Sequence, residues 1–208
     1  MFLGLWRVLF YFMKCSISIL LLFLLLSGCD LFSPREPEPP LDTSDPYAWK
    51  PPTSPEIVLE NLSNSFPAHK PNYFLDVLSH DPAGSAAFIF LPDPGVASSQ
   101  PGVFTVWGYT EEESFVAKLF QALNSEGLQR LSWELDQLSP IDDHYEISAD
   151  YRISLSYSAN ETQLPALLGG QAILTLIQNT DLLYEVSKWQ DLKSDTLSCW
   201  TDLKTLVQ

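Results

Sequence analysis

Apolar and polar positions change rhythm along the 208 residues of this chain. First comes an unbroken block, Ile17 and Ile19 to Leu26, with only Ser16 and Ser18 nearby. Asp30 to Pro55 is sparse in apolar residues and holds eight of the sixteen prolines. Helical spacing follows: Val58, Leu59, Leu62 and Phe66 after Ser54-Pro55-Glu56 predict an amphipathic helix over residues 55–65, with proline at its first position. Phe74, Leu75 and Leu78 predict a second, from Pro71 to Ser79. Ala86 to Leu91 reads as a short strand, closed by the turn Pro92-Asp93-Pro94-Gly95 and a loop to Gly102. Val103 to Trp107 reads as another strand. Phe115, Val116, Leu119, Phe120 and Leu123, behind a capping box at Thr110 to Glu113, predict a third helix over 111–124.

The rhythm then becomes a period of two. Leu131, Trp133 and Leu135 alternate with polar residues, and Ser139 to Asp143 reads as a turn. Tyr145, Ile147, Ala149, Tyr151, Ile153, Leu155 and Tyr157 occupy every odd place of a long strand with one buried and one wet face. Leu167 to Gln178 is apolar on both faces, as in a central strand, and Gly169-Gly170 suggests a bulge. Leu182 to Gln190 is the last long strand, and Asp195 to Val207 a turn of helix carrying Trp200 and Leu203.

The apolar block ends in Leu26-Ser27-Gly28-Cys29, which resembles the lipobox of bacterial lipoprotein precursors. That resemblance implies cleavage between Gly28 and Cys29 and a diacylglycerol on the Cys29 thiol. Membrane contact would run through that lipid, and localisation would be the cell envelope. A single membrane-spanning helix needs roughly 20 apolar residues, which 1–26 could supply. Arg7 and Lys14 interrupt that stretch, and small residues follow abruptly, which favours the cleaved signal. Met13-Lys14 is itself a suitable signal start. The predicted organisation is a signal over 1–28, a proline-rich disordered tether over 29–53 and a folded domain over 54–208.

Charge sharpens this picture. The chain has 26 acidic and 11 basic residues, a formal charge of −15. Cleavage would remove Arg7 and Lys14 and no acid, taking the charge to −17. Such a surface argues against nucleic acid, which selects a basic footprint. Cys15 leaves with the signal and Cys29 takes the lipid, so Cys199 has no disulfide partner and reads as a small buried apolar residue.

Two helices, two short strands, a longer helix and four long strands predict an α+β domain: three helices of its N-terminal half packed on a strongly curved antiparallel sheet, cone-shaped and cystatin-like. Three segments carry a resemblance to the nuclear-transport-factor-2-like superfamily, which includes ketosteroid-isomerase-like proteins. They are Ser54 to Leu62, Phe88 to Asp93, and Tyr184 to Asp191 with Ser198 to Lys204. The superfamily hosts enzymes, binding modules and adaptors, so the fold alone assigns no activity.

Its enzymes place aspartate, tyrosine or histidine inside the cone, but no position here matches their catalytic aspartate, and no catalytic residue is carried over. There is no Gly-x-Ser-x-Gly elbow and no phosphate-cradling glycine loop. His80-Asp81 and Asp142-Asp143-His144 fall at predicted turns, where aspartate is favoured locally, so no metal and no cofactor is assigned. Asp150 and Arg152 read as cross-strand charges on the wet face. Trp133, Tyr145, Tyr151 and Tyr157 lie on the apolar face and are the candidate lining of a pocket for a small apolar ligand. The reading is a noncatalytic ligand-binding or structural module. The alternatives are an envelope adaptor, with homodimerisation through the sheet face, and a small-molecule isomerase or lyase.

Overall fold

The computed structural model describes residues 45–80, 86–159, 163–194 and 196–207. The apolar block, Gly28, Cys29 and most of the proline-rich stretch lie outside the described residues. Residues 45–53 run beside the first helix. The Lys50 amide donates to Asn61 Oδ1 and Asn61 Nδ2 donates back to the Lys50 carbonyl, while Trp49 packs on Tyr73 with ring centroids 5.7 Å apart.

The first helix, α1, is Pro55–Ser65, with Ser54 extended before it and proline presetting its first turn. The second, α2, is Pro71–Leu75 and stops short of the expected Ser79. The backbone is needed elsewhere: Val77 accepts from the Val186 amide (2.8 Å) and Ser79 donates to the Val186 carbonyl (3.0 Å). Strand β1 is Ile89–Leu91. A helix, α3, Pro94–Ser99, replaces the expected turn and loop, because the Asp93 carboxylate caps the Val96 amide at 3.0 Å and Pro94 starts the turn. Val103 to Trp107 forms turns instead of a strand. Gly102 sits at φ +96°, and the backbone here joins β1 through the Ile89–Gly108 bridge and the Phe90 amide on the Trp107 carbonyl. Helix α4 is Tyr109–Ala122, two residues earlier than the apolar period suggested, since Glu111 and not Glu113 reaches back, to the Gly108 amide (3.0 Å).

Four antiparallel strands complete the sheet: β2 Arg130–Ile141, β3 His144–Ser154, β4 Leu167–Gln178 and β5 Tyr184–Lys193. A short helix, α5, Trp200–Leu206, closes the described chain. The order is β1-β5-β4-β3-β2, so β4 is central, and β1 joins β5 in parallel. Ser139 and Pro140 belong to β2, and the turn shrinks to Asp142-Asp143, with Asp142 at φ 49°. A register shift between Leu135 and Gln137 leaves Leu135 exposed. The glycine pair makes no bulge: Gly169 and Gly170 pair in register with Arg152 and Tyr151, and the irregularity lies at Thr175/Leu176. Gly170 is needed for close approach, because an added Cβ would stand 2.7 Å from the Leu192 carbonyl and 2.8 Å from the Tyr151 hydroxyl.

The domain is therefore α+β, with helices on one face of a curved sheet. Val58 and Leu62 of α1, Phe66 just after it, Phe74 of α2, and Phe115, Leu119 and Phe120 of α4 bury against Ile147 and Tyr151 of β3, Leu174 of β4 and Trp189 of β5. The opposite face of β3 carries Glu146, Ser148, Asp150 and Arg152, with Asp150 and Arg152 exposed as the alternation requires. No helix among the described residues is long and apolar enough to cross a membrane.

Candidate functional site

Trp133 and Tyr151 are cross-strand partners on β2 and β3, with ring centroids 6.1 Å apart, and Trp133 is 5.8 Å from Trp189. Tyr145 is at the other end of β3, edge-on to Tyr184 at 5.5 Å. Tyr157 lies beyond the strand and donates to the Pro165 carbonyl at 3.0 Å. The four candidate lining residues thus come together only as the Trp133–Tyr151 pair.

That pair borders a buried polar cluster the sequence reading did not assemble. The Tyr151 hydroxyl donates to Asp191 Oδ1 at 2.7 Å and accepts from the Trp200 amide at 2.7 Å. Asp191 Oδ2 accepts from the Thr201 amide (2.7 Å) and the Thr201 hydroxyl (2.6 Å). Burial pushes the Asp191 carboxyl above the ordinary carboxylate range, although its donors pull the other way. Burial and the neighbouring Asp191 push the Tyr151 phenol up as well. An aspartate–tyrosine pair inside a cone is suited to acid–base work. Here every polar atom of the pair is spent on holding the start of α5 to the sheet. Trp189, Trp200 and Phe74 stack beside it, with centroids 5.9 to 6.1 Å apart.

A second buried cluster joins α4 to α5. Lys204 and Glu112 are both fully buried, and the Lys204 ammonium donates to Glu112 Oε2. Trp107 Nε1 donates to the same oxygen at 2.6 Å. Four rings enclose the ammonium: Phe115 at 4.1 Å, Phe90 at 4.4 Å, Trp107 at 4.7 Å and Trp200 at 5.4 Å from Nζ to centroid. Burial pulls the Lys204 ammonium down to about 8, against the opposing pull of Glu112. A signal for both charges was present in the pattern. Glu112 stands on the apolar stripe of α4 with Phe115, Val116 and Leu119, and Lys204 on that of α5 with Trp200 and Val207.

Open apolar space lies beside β1. A groove of about 590 Å³ runs between β1 and the 104–111 segment, walled by Phe88, Phe90, Phe104, Trp107 and Tyr109. His80 packs on Tyr109 at one end, with ring centroids 4.4 Å apart and the planes tilted by 48°. Ile89 and Val106, 52% and 75% exposed, form its lips. Its lining contains no lysine or arginine. A smaller groove of about 490 Å³ lies on the other side of Trp107, against Val103, Phe115 and Val207.

Cys199 is buried, and burial with the neighbouring Asp191 pushes its thiol up, which makes it a poor nucleophile. His144 Nδ1 is 3.3 Å from Asp143 Oδ1 at the β2–β3 turn, and Asp81 lies outside the described residues. Among the described residues no group of three His, Cys, Asp or Glu side chains is placed to hold a metal ion.

Neither a protein-family model nor a curated protein matches the chain in sequence. Solved structures match it in fold. A conserved protein from Planctomyces limnophilus superposes with a TM-score of 0.50 at 11% identity, covering 66% of this chain and 91% of its own. A ketosteroid isomerase-like protein from Erwinia carotovora atroseptica gives 0.45 at 11% identity, covering 66% and 92%. The first of these shares the α+β fold described above.

Proposed function

We propose that this chain is a lipid-anchored protein of the bacterial cell envelope whose domain holds a small apolar ligand without turning it over. One observation carries the second half of this reading. The interior aspartate–tyrosine pair, where a cone enzyme would do its chemistry, is sealed by the Trp189–Trp200–Phe74 stack, while the open apolar groove lies between β1 and the 104–111 segment. A groove of several hundred Å³ lined by aromatic rings suits a small hydrophobic molecule. The absence of a basic side chain from its lining favours a neutral or cationic ligand over an anion.

The first half rests on Leu26-Ser27-Gly28-Cys29 after the apolar block, with the prolines behind it as a spacer of roughly 3 Å per residue. An isomerase or lyase would need the stack to open.

Titration with the neutral fluorophore N-phenyl-1-naphthylamine tests the groove. Binding should saturate at one site and weaken by about tenfold or more in Ile89→Lys, which places a charge on the groove lip and disturbs nothing buried. Binding that is absent, or unchanged by that substitution, would refute the groove reading.

A further inference from the structure

Lys204 and Glu112 are, among the described residues, the one ion pair with both side chains fully buried. A buried pair is poor value for stability, since apolar residues of similar volume often do as well. This one is also incomplete. Glu112 Oε2 takes both the ammonium and the Trp107 indole N–H, while Glu112 Oε1 is buried with no donor. The other neighbours of the ammonium are ring faces. An orphaned carboxylate oxygen beside an amine is the arrangement a small polar group would complete.

Access is short. Phe90 and Trp107 wall both the ammonium and the larger groove, and Trp107 and Phe115 wall both the ammonium and the smaller one. Trp107 is therefore the partition between the two grooves and the pair. It belongs to a segment, 101–107, whose backbone is held by few bonds: the Phe90 amide on the Trp107 carbonyl, at 2.9 Å, the Val103 amide on the Gln100 carbonyl, at 3.3 Å, and the Thr105 hydroxyl on the Gly102 carbonyl, at 3.3 Å.

We propose that Lys204 is a carbonyl-capturing residue: an apolar aldehyde seated in the larger groove reaches its amine when Trp107 swings aside, and is held as an imine. The inference rests on the reading that this groove takes an apolar ligand. Lys204 first passes a proton to Glu112. The Nζ lone pair then attacks the carbonyl carbon and forms the C–N bond. Glu112 returns its proton to the oxygen, which takes the second amine proton and leaves as water as the C–O bond breaks. Aldehyde and amine become imine and water, with no oxidant or reductant. The depressed basicity of the buried amine supplies free base near neutral pH, as in other desolvated lysines that attack carbonyls. The product is a reversible adduct, which fits a binding protein.

Cinnamaldehyde with cyanoborohydride tests this on the full chain, with cinnamyl alcohol as a probe of the same shape that cannot form an imine. Peptide mass mapping should find the reduced adduct on Lys204 about tenfold above the exposed Lys50 and Lys118. The alcohol should quench tryptophan fluorescence and compete with labelling. Glu112→Gln, which keeps the shape of the site, should slow labelling of Lys204 and leave that of Lys118 unchanged. Quenching by the alcohol with labelling confined to exposed lysines would overturn the capture and leave the groove reading standing. Absence of both quenching and Lys204 adduct would overturn both.

Discussion

Asp191 accepts three hydrogen bonds: two from Thr201 fasten α5 to the sheet, and one from Tyr151 ties β5 to β3. Tyr151 supplies one of them and also takes the Trp200 amide. Tyr151→Phe leaves that amide and one carboxylate oxygen buried without partners, and should cost about 2 kcal/mol in urea unfolding. Gly170→Ala should cost about as much, because its Cβ would meet a backbone carbonyl and the Tyr151 hydroxyl, neither free to retreat. At this scale the chain was only half legible. The alternation of β3 put Tyr151 indoors correctly, since a period of two leaves no other face for it. It could not say that Tyr151 would meet Asp191, forty residues away, because sequence periodicity carries no information on which strands become neighbours. Tyr145 and Tyr157 share its parity but stand at opposite ends of the run, too far apart to line one site.

Among elements, the join of α4 to α5 through Glu112 and Lys204 is the most exposed to test. Lys204→Met alone strands a buried carboxylate and should cost roughly 3–5 kcal/mol, whereas the double variant Lys204→Met/Glu112→Leu should recover most of that loss. Denaturant unfolding of the four-protein cycle measures the coupling. The pair also gives stability a pH signature. The folded-state pKa of Lys204, about 8, is below its ordinary 10.5. Between these values the unfolded chain holds a proton that the folded one has released. Wild-type stability should therefore rise from pH 8 to 10.5 relative to the double variant, by about 3 kcal/mol at full shift. A flat difference would mean that Lys204 titrates normally. Helices α1 and α4 and strands β3 and β4 were legible because each pairs a clean period with a clear boundary. Val103 to Trp107 misled, because its apolar residues serve a local aromatic cluster and not a strand face: Phe104 and Trp107 pack with Phe90 at 6.2 and 6.1 Å. The helix at Pro94–Ser99 was hidden in a proline–serine stretch whose start signals, Asp93 and Pro94, also read as a turn.

For the whole molecule, fold and function separate. The order of elements was enough to reach the α+β cone, and a solved structure at 11% identity shares the fold. The location of open space was not readable, because it depends on how Trp189, Trp200 and Phe74 fill the interior. The envelope address is a property of the first 29 residues and has its own test. Cys29→Ser should abolish incorporation of labelled palmitate and shift the protein from the membrane to the soluble fraction, and unchanged membrane association would contradict the lipid anchor. The central claim is that ligand binds outside a sealed cone. An isotope-filtered NOE spectrum of the protein with N-phenyl-1-naphthylamine tests it most directly. The expected spectrum has contacts from the ligand to Ile89, Phe90 and Trp107, with none to Tyr151 or Trp189. Contacts to Tyr151 and Trp189 would place the ligand inside the cone and contradict it.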